Sequence, residues 1–284
     1  MKKTEQTSGA TLDLVGEQSF NFNVKSVLNV LRGTFRLILF AGFILVYLLW
    51  SYLCHLVLRD PDRRLDVFSK NTQFFAKILI SLLRLKLEIK NRKEIQSGYL
   101  LVSNHMGFLD ILCLATSQPL VFVTSTEMRS TPFLGLLTEL GGCIFVERRS
   151  RTKILSELQT IANVLQDGHT VVLYPEARSS NGEQVLPFKK TLMMAAAQAG
   201  VPLQPVVINY REINGKPFTK ETRDSVCWYD DVPFAKSMWL TLSAASIHAE
   251  IEFLDTLHPK PADDRSLVAD QAYSMISGKF VPAT

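Results

Sequence analysis

The 284-residue sequence holds only four cysteines, and none stands in a CxxC pair or at a metal-ligand spacing. Cys54, Cys113 and Cys143 lie in apolar runs, where free thiols are ordinarily buried. A disulfide framework is therefore not expected, and a reducing compartment is. The chain also lacks an H-E-x-x-H helix, and His105, His169, His248 and His258 are far apart in sequence, so no metal is expected. It has no G-x-S-x-G turn, which argues against a hydrolase nucleophile elbow. Internal repeats, low-complexity tracts and Pro/Gly/Ser linkers are absent too. Neither sign of charge dominates: the formal balance is +4, which gives weak support for nucleic acid as a partner and suits an anionic membrane surface. With 47% hydrophobic residues the chain is not disordered.

A long apolar run is present. Leu37 to Leu58, "LILFAGFILVYLLWSYLCHLVL", is long enough to cross a hydrocarbon core as a helix, with Arg36 and Arg59 at its ends. It is too long and too late for a signal peptide, and no small-residue cleavage site follows. Phe74, Phe75, Ile78, Leu79 and Leu82 then recur at helical spacing, a stripe suited to the membrane interface or to covering a folded domain. One span, a span plus a surface helix, and a re-entrant hairpin all fit. Basic residues are denser after the run (Arg59, Arg63, Arg64, Lys70) than before it, which places the following domain on the cytoplasmic side. The reading is a tail over 1–34, a membrane-anchoring helical region over 35–82 and a catalytic domain over 83–284.

Past Leu83 the period changes. "LRLKLEI" alternates apolar and charged residues as a half-exposed strand does. "YLLVS", "LVFVTS", "GGCIFV", "HTVVLY", "LQPVVINY" and "IHAEIEFLD" read as further strands. Helices are expected over Ile154–Leu165, Lys190–Ala199 and Phe234–Ala245. Near-continuous apolar strands separated by helices predict an α/β fold, a mixed, largely buried sheet flanked by helices.

Four stretches carry polar residues where a core needs none. "VSNHMGFLDIL" places His105 and Asp110 five residues apart directly after a strand. On one straight helix they would lie about 140° apart. They can meet if a strand-to-helix loop turns the imidazole back towards an aspartate in the first helical turn. Such a carboxylate fixes the ring tautomer and leaves the other nitrogen as a base. Taken alone, the pair reads more readily as a capping histidine and a dipole-favoured aspartate. "GGCIFVERRS" ends a strand in Arg148 and Arg149, suited to bidentate capture of phosphate. "LYPEARSSNG" follows a strand with Glu176, Arg178 and Gly182, and "VPLQPVVIN" brackets a strand start with Pro202 and Pro205.

In this order the four stretches resemble the motifs of the phospholipid/glycerol acyltransferase family, the superfamily of 1-acylglycerol-3-phosphate acyltransferases. Asn104, His105 and Asp110 match the first, Asn-His-x4-Asp. Phe145, Val146, Glu147 and Arg148 match the second; Tyr174, Pro175, Glu176 and Gly182 the third; Val201, Pro202, Pro205 and Val206 the fourth. The likeness covers about residues 99–210. The chain departs from it at Ala177, where glycine is usual, at Arg178, where threonine is common, and at polar Gln204. "CWYDDVPF" (227–234) also resembles a stretch of bacterial enzymes that finish ornithine lipids.

The resemblance implies a glycerolipid acyltransferase fold with an N-terminal membrane helix. It implies that His105 takes the proton of a lysolipid hydroxyl while Asp110 orients the ring. That hydroxyl would attack an acyl-CoA or acyl-carrier-protein thioester directly, in phospholipid biosynthesis at the cytoplasmic face of a bacterial inner membrane. Asn104, Arg148, Glu176, Arg178, Gly182 and Pro205 are the expected substrate-binding residues. The donor is a substrate, no cofactor is expected, and the partners are membrane lipids and the acyl carrier, with no nucleic acid. The acceptor is expected to be 1-acylglycerol-3-phosphate, with lyso-ornithine lipid or another lysolipid as the alternative. A membrane-tethered serine hydrolase and a non-catalytic lipid-binding protein are the other classes that fit.

Overall fold

The computed structural model of the protein describes residues 24–92, 98–147, 152–230 and 232–284. Arg148, with Arg149 and Arg151, lies outside the described residues. Helix α1 (Val24–Val57) is continuous and starts well before the expected boundary at residue 34. Helix α2 (Pro61–Leu82) follows a tight corner. Asp60 caps it by accepting from the backbone N–H groups of Asp62 and Arg63 at 3.0 and 3.1 Å, and Pro61 supplies a preset φ at its first position.

The catalytic domain then runs β1 (Leu85–Lys90), β2 (Leu100–Ser103), α3 (Phe108–Ser117), β3 (Val121–Ser125), α4 (Thr126–Arg129), α5 (Leu134–Leu140) and β4 (Ile144–Val146). It continues α6 (Ile154–Gln166), β5 (Val171–Leu173), α7 (Ala195–Ala199), β6 (Leu203–Ile213), β7 (Lys216–Pro217), α8 (Phe234–Ser243), β8 (Ile247–Phe253) and α9 (Arg265–Lys279). Among the described residues the strands form one sheet in the order β1-β8-β6-β2-β5-β3-β4, with β7 pairing on β6. Pairing is parallel except for β6 with β8 and β7, so the sheet is mixed, as the strand–helix alternation predicts.

Period-two alternation divides the core between the two faces of the sheet. Leu101, Val172, Val206 and Ile208 join the helices α1, α2 and α3 on one face. Leu100, Val102, Val171, Leu173 and Val207 join α6, α7 and α9 on the other. Each such side chain contributes roughly 1.5–3 kcal/mol relative to exposure, and burial on both faces is why these strands read as unbroken apolar runs. Gln204, polar where an apolar residue is usual, is satisfied inside the sheet. Its amide donates to Leu254 O at 2.7 Å and accepts from the Thr256 hydroxyl at 2.8 Å.

Helix α1 does not stand free of the domain. Arg36, Phe40, Ile44, Tyr47 and Ser51, spaced four, four, three and four apart, are buried along one face. Arg36 donates to the carbonyls of Leu242 and Ala244 at the end of α8. Tyr47 bonds the Thr72 hydroxyl at 3.0 Å, and the Trp50 indole donates to Asn71 at 3.3 Å, both on α2. The opposite face, with Leu31, Phe35, Ile38, Leu45, Leu49, Leu53 and Leu56, is apolar and exposed.

Candidate active site

Strands β2, β5 and β6 lie side by side and parallel, so the loops that leave their C-terminal ends converge. The first of these, 104–107, carries His105. Asn104 begins it by mimicking one more strand residue: its side-chain oxygen accepts Ile208 N–H at 2.8 Å, and its amide donates to Ile208 O at 3.0 Å. The chain then turns through Gly107 into α3. A Cβ on Gly107 would meet Val226 O at 2.4 Å, so the close crossing of the 226–228 segment requires glycine there.

Asp110, third in α3 and fully buried, gathers the loop. Its Oδ2 accepts the N–H groups of Met106 and Gly107 at 2.5 and 2.9 Å and faces His105 Nδ1 at 2.9 Å. Its Oδ1 accepts the Tyr210 hydroxyl at 2.7 Å. A carboxylate with these donors accepts the Nδ1–H of His105, which fixes the tautomer with Nε2 unprotonated. The imidazole is 17% exposed and stacks on the Tyr174 ring at 4.1 Å between centroids. Its Nε2 has no protein partner among the described residues.

The 174–183 loop holds His105 from the other side. Glu176 Oε1 accepts the His105 N–H at 2.7 Å, Glu176 Oε2 accepts Leu186 N–H at 2.8 Å, and Ser180 N–H donates to His105 O at 2.8 Å. Burial pushes the Glu176 carboxyl up to about 8, against the opposing pull of its two amide donors. Ala177 takes φ +61, the left-handed conformation that glycine adopts freely, which is the physical reason for glycine at this position in related motifs.

His105 lies in the wall of a cavity of about 460 Å³. Most of its lining is apolar and comes from α1 (Phe40, Ile44, Tyr47), α2 (Phe75, Leu79), α3 (Phe108, Ile111, Leu112) and α5 (Leu134, Leu137). At its polar end are Arg178 and Ser179, with Trp228 from the segment before α8. Trp228 N–H donates to Met106 O at 2.7 Å, and Ser179 donates to Trp228 O, so this segment is tied to both loops.

The structure thus brings His105 and Arg178 to one cavity, with Asp110 buried behind the imidazole, and gives four other expected substrate contacts a different place. Asn104 spends its amide on Ile208 and Glu176 its carboxylate on two backbone amides, and both are buried. Gly182, at φ +79, has no room for a Cβ, which would lie 2.9 Å from Phe218. Pro205 is buried in β6 opposite Val102. These four shape the loops and the sheet from behind and do not line the cavity. Arg148 lies outside the described residues. Tyr210 and Trp228 were not among the expected site residues. The phenol that ends the strand run "PVVINY" was a signal for Tyr210, since a buried tyrosine hydroxyl needs a partner.

Comparisons with known proteins bear on the family and the fold. Residues 84–209 match the family described as Acyltransferase. The chain is 30% identical to a 1-acyl-sn-glycerol-3-phosphate acyltransferase of Neisseria gonorrhoeae, over 63% of this chain and 68% of that one. It is 32% identical to a lyso-ornithine lipid O-acyltransferase of Rhodobacter capsulatus, over 76% and 79%. Its fold is similar to the crystal structure of the 1-acyl-sn-glycerophosphate (LPA) acyltransferase PlsC from Thermotoga maritima, with a TM-score of 0.66, 18% identity and 89% and 95% of the two chains covered.

Proposed function

The chain belongs to the phospholipid/glycerol acyltransferase family, and from that membership we propose that it moves a fatty acyl group from an acyl thioester to the free hydroxyl of 1-acylglycerol-3-phosphate. The observation that carries the reading is the His105–Asp110 pair, 2.9 Å apart, in the wall of a long apolar cavity. His105 Nε2 takes the proton of the acceptor hydroxyl as its oxygen bonds to the thioester carbonyl carbon. The C–S bond breaks, and the leaving thiolate receives that proton from the imidazolium. The products are the ester and the free thiol of CoA or of the carrier protein, and no covalent acyl-enzyme is needed. Asp110 holds the ring and stabilises the imidazolium between the two proton transfers. The acyl chain fits the apolar cavity, and Arg178, with Arg148 by its motif position, supplies cations for the acceptor phosphate.

A second acceptor has a specific observation in its favour. The Trp228 segment, whose sequence resembles enzymes of ornithine-lipid synthesis, closes over the His105 loop where an acceptor head group would sit. Lyso-ornithine lipid is therefore the alternative acceptor.

The exposed face of α1 suggests how the protein meets the membrane. Arg36 near one end of the apolar run is bonded to the end of α8, and Trp50 towards the other to α2. A helix held along its length in this way is suited to lying half-immersed in one leaflet rather than crossing both. The basic residues after the run fit the cytoplasmic leaflet of a bacterial inner membrane.

The test is purified protein with labelled acyl-CoA or acyl carrier protein and a panel of lysophosphatidic acid, lyso-ornithine lipid and neutral lysolipids. Thiol release that depends on lysophosphatidic acid is the expected result. Release without any acceptor would mean hydrolysis, and no release from either donor would leave a binding protein.

A further inference from the structure

We propose that Tyr210 is a positioning residue for the transfer, acting through Asp110 to fix both the orientation and the basicity of His105. This rests on the acyl-transfer reading of His105 given above.

The geometry is specific. Strand β2 ends at Ser103, paired with Val206, while β6 runs on to Ile213. The overrun carries Tyr210 beneath the His105 loop and the start of α3, where its hydroxyl meets Asp110 Oδ1 at 2.7 Å. Both residues are fully buried, so the contact is shielded from bulk solvent. The three donors on Oδ2 come from the 105–107 loop itself, and among the described residues the phenol donates to the other oxygen. Without it, Oδ1 would be a buried acceptor with nothing to accept. The carboxylate could then rotate, and its charge would concentrate on Oδ2, facing the imidazole.

The titratable groups that face Asp110 among the described residues are His105 from the loop, Cys113 from α3, Tyr174 and Glu176 after β5, Tyr210 from β6 and Cys227 before α8. Burial holds both phenols and both thiols in their protonated forms through the working range, so Tyr210 is a donor at every pH of interest. Burial, with a smaller part from Asp110, raises Glu176 to about 8, so it drops out only between variants that share the residue at 110.

The consequence for catalysis has a sign. The Tyr210 hydroxyl draws charge from the carboxylate and so weakens the attraction of Asp110 for an imidazolium. Removing it lets the base hold its proton to higher pH. Tyr210→Phe keeps the ring and should move the acid limb of the kcat/KM profile upward by about half to one pH unit, the worth of one buried hydrogen bond. It should also lower kcat about tenfold with little change in either KM, because the ring contacts no substrate-lining surface. Installing 3-fluorotyrosine at 210, a stronger donor of nearly the same size, should move the acid limb the other way.

The experiment is a pH–rate series on the full-length protein in lipid vesicles. It compares wild type, Tyr210→Phe, the 3-fluorotyrosine protein, Asp110→Asn, the Asp110→Asn/Tyr210→Phe double variant and His105→Ala. Opposite shifts for phenylalanine and fluorotyrosine, with Tyr210→Phe adding nothing once Asp110 is asparagine, are expected. If Tyr210→Phe does not fold, the fluorotyrosine protein decides alone. Unchanged limbs in every folded tyrosine variant would overturn the role of Tyr210 while a dead His105→Ala leaves the transfer reading standing. Near-normal turnover in folded His105→Ala would instead remove the transfer reading, and the role of Tyr210 with it.

Discussion

Glu176 accepts the backbone N–H of His105 at 2.7 Å, so a carboxylate of the third motif holds the main chain of the first. Its place in the structure is that of a buried tie between two loops. Its carboxyl is raised from 4.5 to about 8 chiefly by desolvation. Between those values the folded protein keeps a proton that the unfolded chain has released, so the stability linked to this group is present in full below about 4.5. It is lost as pH rises through about 8. Glu176→Gln should flatten this slope in urea unfolding measured from pH 5 to 9. It should also cost about 1–3 kcal/mol, because a glutamine amide cannot accept from both Leu186 and His105. An unaltered slope in the variant would assign the pH dependence to another group.

His105→Ala should lower turnover by at least about two orders of magnitude with little loss of acceptor affinity. Asp110→Asn should also lower turnover, because its amide nitrogen, if it faces Nδ1, reverses the tautomer. Steady-state assays on protein shown to be folded by circular dichroism check both.

Ala177→Gly should stabilise the protein by up to about 1 kcal/mol, because it relieves a left-handed backbone at a β-carbon-bearing residue. The gain is offset in part by the greater freedom of glycine in the unfolded chain. A fall in thermal midpoint would mean that the Ala177 methyl makes contacts worth more than its strain.

Arg178 lines the polar end of the cavity and is exposed there. Arg178→Ala should raise the KM for a phosphate-bearing acceptor about three- to tenfold while leaving the donor KM nearly unchanged, a modest effect because solvent screens the contact. Arg178→Lys should restore part of it. Equal KM values for phosphorylated and neutral lysolipids in both variants would place the head group elsewhere.

Removing residues 1–58 should abolish activity as well as membrane association, because Phe40, Ile44 and Tyr47 form part of the cavity wall. Detergent micelles should not restore turnover to the truncated protein. An active, soluble fragment would show that the cavity closes without α1.

The strands were legible because period two and apolar runs report burial directly, and the family because four polar stretches resemble its motifs in order. The His105–Asp110 contact was legible too, because the strand–loop–helix pattern around it leaves few geometries. Other features depend on distance in the chain. Tyr210 meets Asp110 across 100 residues, and only the extra length of β6 beyond β2 brings them together. The docking of α1 was hidden because apolar residues lie on both its buried and its exposed faces. Helix α9 escaped because two of its four buried residues, Ala269 and Ala272, are alanines, which leave a weak apolar stripe. Asn104, Glu176, Gly182 and Pro205 looked like ligand contacts because residues that fix a loop and residues that touch a ligand have the same polar or special character in sequence.

Helix α1 has one face against the cavity and the other bare, and a helix with its side chains is only about 10–12 Å thick. With that bare face in lipid, a fatty chain in the cavity would sit one helix away from the tails of the bilayer. Movement between the two then becomes partition between neighbouring oils rather than extraction into water. Saturation of such an enzyme follows the mole fraction of lysolipid in the surface, so diluting the membrane with inert lipid should slow it as surely as removing substrate, while adding buffer should not.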